Sequence, residues 1–180
     1  MKLINQAQQL INKRWFSGVV VLVCAGLMGA ALYFQYGLNL EPCPLCIFQR
    51  IIVIAFGCVF LLKAIFNPAP TAKFQYGFYL LALVVAGLGV FLAGRHVWLQ
   101  HLPEELVPAC GPALDYLMEV LPLAEVLSTV LQGSGECAKQ DGWSFLWLNM
   151  PEWMLIIFSL MTLFSLFGLW TRWQQGRAPF

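Results

Sequence analysis

Six cysteines carry most of the chemistry open to this 180-residue chain, and their surroundings divide them into two kinds. Cys24 and Cys58 lie in runs of Val, Leu, Ala and Phe. A thiol in such surroundings acts as a small core residue with little reactivity. The other four lie between the apolar runs. Cys43 and Cys46 form a C-x-x-C pair, and Cys110 and Cys137 fall in a long polar, proline-broken stretch. A disulfide across C-x-x-C closes a very small ring, so it restrains the unfolded chain least of all bridges. Such a pair is a poor staple and a good redox switch. Cys46 falls in the first turn of an expected helix, where unpaired N–H groups and the helix dipole favour a thiolate. Arg50 follows one turn later on the same face. It is a cation placed to hold a thiolate and an anionic, reduced cofactor.

Three chemistries compete for the four outer cysteines: two structural disulfides, a structural zinc site, or two redox-active pairs. Zinc suits the C-x-x-C half, but Cys110 and Cys137 are not spaced like the second half of a finger. No metal is therefore expected. Four cysteines outside the membrane point to an oxidising compartment and to disulfide chemistry.

The elements that position these residues are transmembrane helices. The composition is 60% apolar and 11% charged, against about 45–50% and 25% in soluble domains. The excess falls in four blocks, residues 15–36, 46–66, 74–94 and 153–171, each near the roughly 20 residues that cross a bilayer. None alternates as a barrel strand does, and lipid offers backbone groups no other partner, so all four read as helices. The expected fold is an all-α, four-transmembrane-helix bundle in one membrane domain, residues 1–180. The first span, long for a signal peptide and without a convincing cleavage site, is expected to be retained.

Charge orients the bundle. Lys2, Lys13, Arg14, Lys63, Lys73, Arg172 and Arg177 border one side of the spans, and all nine acids lie in the other two connections. By the positive-inside rule both termini are cytoplasmic. A short loop, 37–45, and a long one, 95–152, then face the periplasm. Residues 114–121 and 123–131 of the long loop read as short amphipathic helices, the second able to lie on a membrane surface. Gly133-Ser134-Gly135 reads as a flexible turn before Cys137. The aromatic stretch 141–153 fits an interfacial belt leading into the last span. A net charge of +1 gives no reason to expect a nucleic-acid partner.

Redox pairs must pass electrons on. The chain has no G-x-G-x-x-G for a nucleotide and no C-x-x-C-H for attached haem. A lipid-soluble acceptor remains, and a quinone fits, because Cys46 and Arg50 stand where a head group arrives from the bilayer. His96, at the outer end of the third span, is a second candidate quinone contact beside Arg50. His101 reads as interfacial only, and Arg95 as an outer-face cation reaching for water.

The ordered set resembles the DsbB family, the bacterial disulfide bond formation proteins B. It comprises Pro42-Cys43-Pro44-Leu45-Cys46 opening the second helix, Arg50 one turn on, and His96 ahead of Leu102-Pro103. Cys110, Gly135-Glu136-Cys137 and Met150-Pro151-Glu152-Trp153 at the start of the last helix complete it. A DsbA–DsbB–quinone relay keeps the bacterial periplasm oxidising. The resemblance implies an inner-membrane quinone-dependent thiol oxidase with ubiquinone or menaquinone bound non-covalently. It implies that a reduced, thioredoxin-like DsbA attacks Cys110, paired with Cys137, and forms a mixed disulfide there. Cys137 then exchanges with Cys43, and Cys46, a thiolate beside Arg50, donates to the quinone. Gln49 stands where some family members carry an acid. Two other readings remain. A vitamin K epoxide reductase-like enzyme would carry its C-x-x-C late in the chain, whereas a non-enzymatic scaffold would carry two inert disulfides.

Overall fold

The structure is a computed structural model and describes residues 14–66, 72–107, 114–133, 135–138 and 144–177. Four of its helices are long and apolar enough to span a membrane. The first, α1 (Arg14–Leu32), runs into a π-helical turn, Tyr33–Gly37. The second, α2 (Pro44–Phe66), begins at a proline, which suits a helix start because its missing N–H has no intrahelical role there. The third, α3 (Ala72–Gln100), continues six residues past the apolar run that marks it in the sequence. Hydropathy marks the part of a helix that crosses lipid, and backbone hydrogen bonding carries the helix on into the polar region.

The last helix is α7 (Met150–Arg177). Its start is set by half of a capping box: the Glu152 carboxylate accepts from the Asn149 backbone N–H at 2.7 Å. Between α3 and α7 lie a 3₁₀ turn (Glu104–Leu106), α4 (Leu114–Val120), α5 (Leu123–Gln132), α6 (Gly135–Ala138) and a hairpin of β1 (Ser144–Phe145) and β2 (Leu148–Asn149). The two loop helices anticipated from amphipathic spacing are therefore present as α4 and α5. The hairpin is not legible in the sequence. Its strands pair Ser144 with Asn149 and Phe145 with Leu148. Its turn residues, Leu146 and Trp147, both take positive φ, of 52° and 61°. The same backbone is normally built from Asn-Gly.

In the bundle α3 packs along α7, with α1 on α2 and α2 on α3. The mid-bundle core is aromatic: Phe60 stands 5.0 Å from Phe56, 5.7 Å from Phe164 and 6.1 Å from Tyr79, ring centre to ring centre. Such tilted and edge-on pairs stabilise beyond their buried area. Lys63 of the basic flank is buried here. It donates to the Tyr79 hydroxyl at 2.7 Å and lies over the Tyr79 ring.

Glycines set the closeness of α3 and α7. A Cβ at Gly89 would press into the Phe158 ring, and one at Gly168 into the Tyr79 ring. Gly89→Ala or Gly168→Ala is expected to lower the thermal unfolding midpoint of the detergent-solubilised protein, with a cost of about 1–3 kcal/mol for overpacking. Gly77→Ala, where a Cβ meets nothing within 4 Å, should leave the midpoint in place.

A second apolar cluster closes the other end of the bundle. Leu45 of α2, with Leu92 and Leu99 of α3, packs under Leu117, Val126, Val130 and Cys137 of the loop helices. Gly133 is part of this packing rather than a loose hinge. It caps α5 with φ +85°, its N–H bonded to the Thr129 and Val130 carbonyls, and a Cβ there would strike Leu99.

Candidate redox site

One helix serves two surfaces at this end. Leu45, Gln49, Val53 and Phe56 recur at helical spacing and form the buried face of α2. Cys46 and Arg50 lie one position on and turn toward α1 and α7. There they help line a cavity of about 170 Å³. Its walls are mostly apolar, from Leu27, Met28 and Phe34 of the α1 side and Trp153, Met154 and Ile157 of α7.

Arg50 is held by the turn that ends α1. Its guanidinium donates to the Gln35 side-chain oxygen and, at 3.3 Å, to the Ala31 carbonyl. Gln35 sits inside the π-helical turn, a local widening that recurs at functional sites. Both acceptors are neutral. Among the described residues no carboxylate pairs with Arg50, so its charge is left for whatever occupies the cavity.

Cys43 and Cys46 present their sulfurs 3.1 Å apart, with the Cys46 backbone N–H pointing at the Cys43 sulfur at 3.4 Å. The separation exceeds the roughly 2.05 Å of a disulfide, so the pair is in the dithiol arrangement. Cys43 also packs against the cluster that contains Cys137, which is 1% exposed. The C-x-x-C pair thus touches the apolar cavity through Cys46 and the neighbourhood of Cys137 through Cys43. Cys110 lies outside the described residues.

His96, expected at the quinone, is not among the residues lining the cavity. It shares a face of α3 with Leu92 and Leu99 and is buried at 2% exposure. Its Nε2 stands 3.7 Å from Cys43 Sγ, and its Nδ1 lies 4.0 Å from Cys46 Sγ and 3.3 Å from the Gln49 amide nitrogen. Gln49, itself 3% exposed, is thus a wall between cavity and imidazole. Arg95 turns outward instead, bonding the Leu131 and Gln132 carbonyls at the end of α5 and stacking on Trp98. Cys24 is buried against Gly57 in mid-bundle, and Cys58 is on the outer surface of the bundle. Neither adjoins the site. Cys43, Cys46 and His96 would also fit three ligand positions of a metal ion.

The family model for disulfide bond formation protein DsbB matches residues 13–168. The chain belongs to the DsbB family. It is 52% identical over 149 residues to the disulfide bond formation protein B of Methylococcus capsulatus, covering 83% of this chain and 89% of that one. Its identity to the protein of the same name from Marinobacter nauticus is 46% over 164 residues, covering 91% and 96%. As a DsbB-family chain with four helices long enough to span a membrane, it is a multi-pass membrane protein of disulfide bond formation. Two residues of the site were not singled out as functional from the sequence: Gln35, whose role depends on a tertiary contact with Arg50, and Gln49, whose partner is 47 positions away.

Proposed function

We propose that this chain is a quinone-dependent oxidase of protein dithiols in the bacterial inner membrane, with Cys43, Cys46, Cys110 and Cys137 on the periplasmic side. The observation that carries the reading is the double contact of the C-x-x-C pair, Cys46 on a ring-sized apolar cavity and Cys43 on the cluster that holds Cys137. The basic residues at the opposite helix ends support the orientation.

The cavity suits a quinone head group. About 150 Å³ of apolar space accepts a benzene ring, and this one offers about 170 Å³ with, at its polar end, a guanidinium that no described carboxylate pairs. Arg50 and Cys46 would hold the ring, and ubiquinone and menaquinone both fit that description. A bound quinone supplies an acceptor for two electrons and two protons.

The rest is thiol chemistry of the chain. A reduced thioredoxin-fold partner of the DsbA type attacks Cys110 of a Cys110–Cys137 disulfide, and Cys137 leaves as a thiolate. The partner's second thiolate completes its own disulfide and releases Cys110, or Cys137 first attacks Cys43 of the oxidised C-x-x-C pair. That attack frees Cys46 as a thiolate beside Arg50. A stabilised thiolate is a good leaving group, which makes Cys46 the natural exit. The released Cys110 then displaces Cys43 from Cys137, which restores the Cys110–Cys137 disulfide. Cys43 and Cys46 re-form their own disulfide as two electrons and two protons leave for the quinone. In sum, partner dithiol plus quinone becomes partner disulfide plus quinol.

The test is to mix the detergent-purified protein with a reduced DsbA-like protein and excess quinone and to follow quinone absorbance. Loss of oxidised quinone that needs both the partner and Cys46 is the expected result. Unchanged quinone, with the partner still reduced and the outer cysteines locked in disulfides, would leave a structural scaffold instead.

A further inference from the structure

The arrangement around His96 assigns it a task distinct from quinone contact. We propose that Gln49 fixes His96 in the Nε2–H tautomer, so that the imidazole presents a hydrogen-bond donor to the sulfur of Cys43. Gln49 is then a positioning residue, and His96, which faces both reacting sulfurs, is a catalytic one. The inference rests on the reading of Cys43–Cys46 as a redox pair.

The argument is one of donors and acceptors. A neutral imidazole carries one N–H and one lone pair, and whichever partner one nitrogen takes decides what the other offers. The Gln49 amide nitrogen, which can only donate, faces Nδ1 at 3.3 Å. Nδ1 must accept, and the proton is left on Nε2, 3.7 Å from Cys43 Sγ. Gln49 and His96 are both nearly excluded from solvent, so water does not compete for these positions. Among the described residues, Arg50 is bonded to Gln35 and the Ala31 carbonyl, and Arg95 to the Leu131 and Gln132 carbonyls. Glu41 is exposed.

The chemistry gives the donor a purpose. Each time Cys43 is displaced from a disulfide, or attacks to form one, its sulfur carries the charge of a thiolate. Cys46 has a cation and a helix start to hold its charge, whereas Cys43 precedes the helix. An N–H aimed at it supplies the equivalent support, and hydrogen bonds to charged acceptors are the stronger kind.

The chain contains only two histidines, which makes a direct test practical. His101 supplies an internal standard of the opposite kind: its Nδ1 lies 2.8 Å from the Val97 carbonyl and must donate to it. Nitrogen NMR of the reduced, histidine-labelled protein above neutral pH should therefore report one Nε2–H ring and one Nδ1–H ring. His101→Gln should remove the second and leave the first. Gln49→Glu, nearly the same shape, offers only acceptors and should move a proton onto Nδ1 of His96. Gln49→Leu should leave a mixture of tautomers. In parallel, alkylation of Cys43 by iodoacetamide at fixed pH should slow about tenfold in His96→Phe, the loss expected of one charge-assisted hydrogen bond. A wild-type His96 protonated at Nδ1, or a tautomer indifferent to Gln49→Glu, would overturn the proposal. The tautomer is read without turnover, so a protein that oxidises no partner yet shows the Nε2–H ring would refute the oxidase reading and leave this one standing.

Discussion

Cys46→Ala should abolish partner-dependent quinone reduction, by about 10³-fold or more, as removal of one member of a catalytic unit does. Cys24→Ala and Cys58→Ala should each stay within about twofold of the parent chain, an effect size typical of sites outside the chemistry. The contrast follows from position. Among the described residues Cys46 is the one cysteine on the cavity wall, and it stands one turn from Arg50. Without it, electrons that reach Cys43 have no sulfur from which to leave. Cys24 packs against Gly57 in the core, so its loss is a packing defect that stability measurements detect and turnover does not. Cys110→Ala is expected to abolish turnover as well, at the opposite end of the relay. The two can be separated by trapping: Cys46→Ala should still form a mixed disulfide with the partner at Cys110, and Cys110→Ala should not. Turnover that survives Cys46→Ala would end the case for electron exit at this pair.

Arg50→Ala should raise the KM for quinone about 10- to 100-fold, the range that corresponds to one charge-assisted hydrogen bond of about 1.5–3 kcal/mol. It should also lower kcat, because the same guanidinium lines the cavity with Cys46, one helical turn away. Arg50→Lys should recover only part of the loss. The charge returns, but the planar fork that reaches Gln35 and the Ala31 carbonyl does not. Gln35→Leu provides the complementary measurement: it keeps the charge, removes the neutral acceptor that aims it, and should raise KM less than Arg50→Ala. A steady-state titration of quinone at saturating partner gives both parameters. An unchanged KM in Arg50→Ala would place the quinone elsewhere.

The transmembrane elements were legible because lipid leaves few options: apolar runs of about 20 residues with few or no charges must be helices. The C-x-x-C pair at the head of α2 was legible for a related reason, since Pro42 and Pro44 mark a helix start in any context. What the sequence hid are contacts made by neutral amides across the bundle. Nothing local distinguishes Gln35 or Gln49 from any other polar residue at a membrane boundary. Their roles exist only once the π-helical turn brings Gln35 to Arg50 and the extension of α3 brings His96 to Gln49. That extension also explains why His96 faces the sulfurs instead of the cavity: four residues after Leu92 and three before Leu99, it lies on the buried stripe of its helix. The hairpin before α7 was missed because its turn is Leu146-Trp147, residues that normally avoid positive φ.

In the proposed relay, the cluster of Leu45, Leu99, Val126, Val130 and Cys137 would act as electrical insulation. A membrane protein that joins thiols to a shared pool of oxidant risks a short circuit, in which any small thiol diffusing past is oxidised and the pool is drained to no purpose. Cys137 is almost wholly covered and Cys43 is half-buried against the same cluster, so a glutathione-sized reductant is expected to reach Cys137 poorly. In the proposed relay, oxidation is then expected only for a partner that docks on the loop and offers its thiolate to Cys110. On the proposed function the lid of α4, α5 and α6 is a selectivity device, and loosening its packing should let more oxidising power leak away.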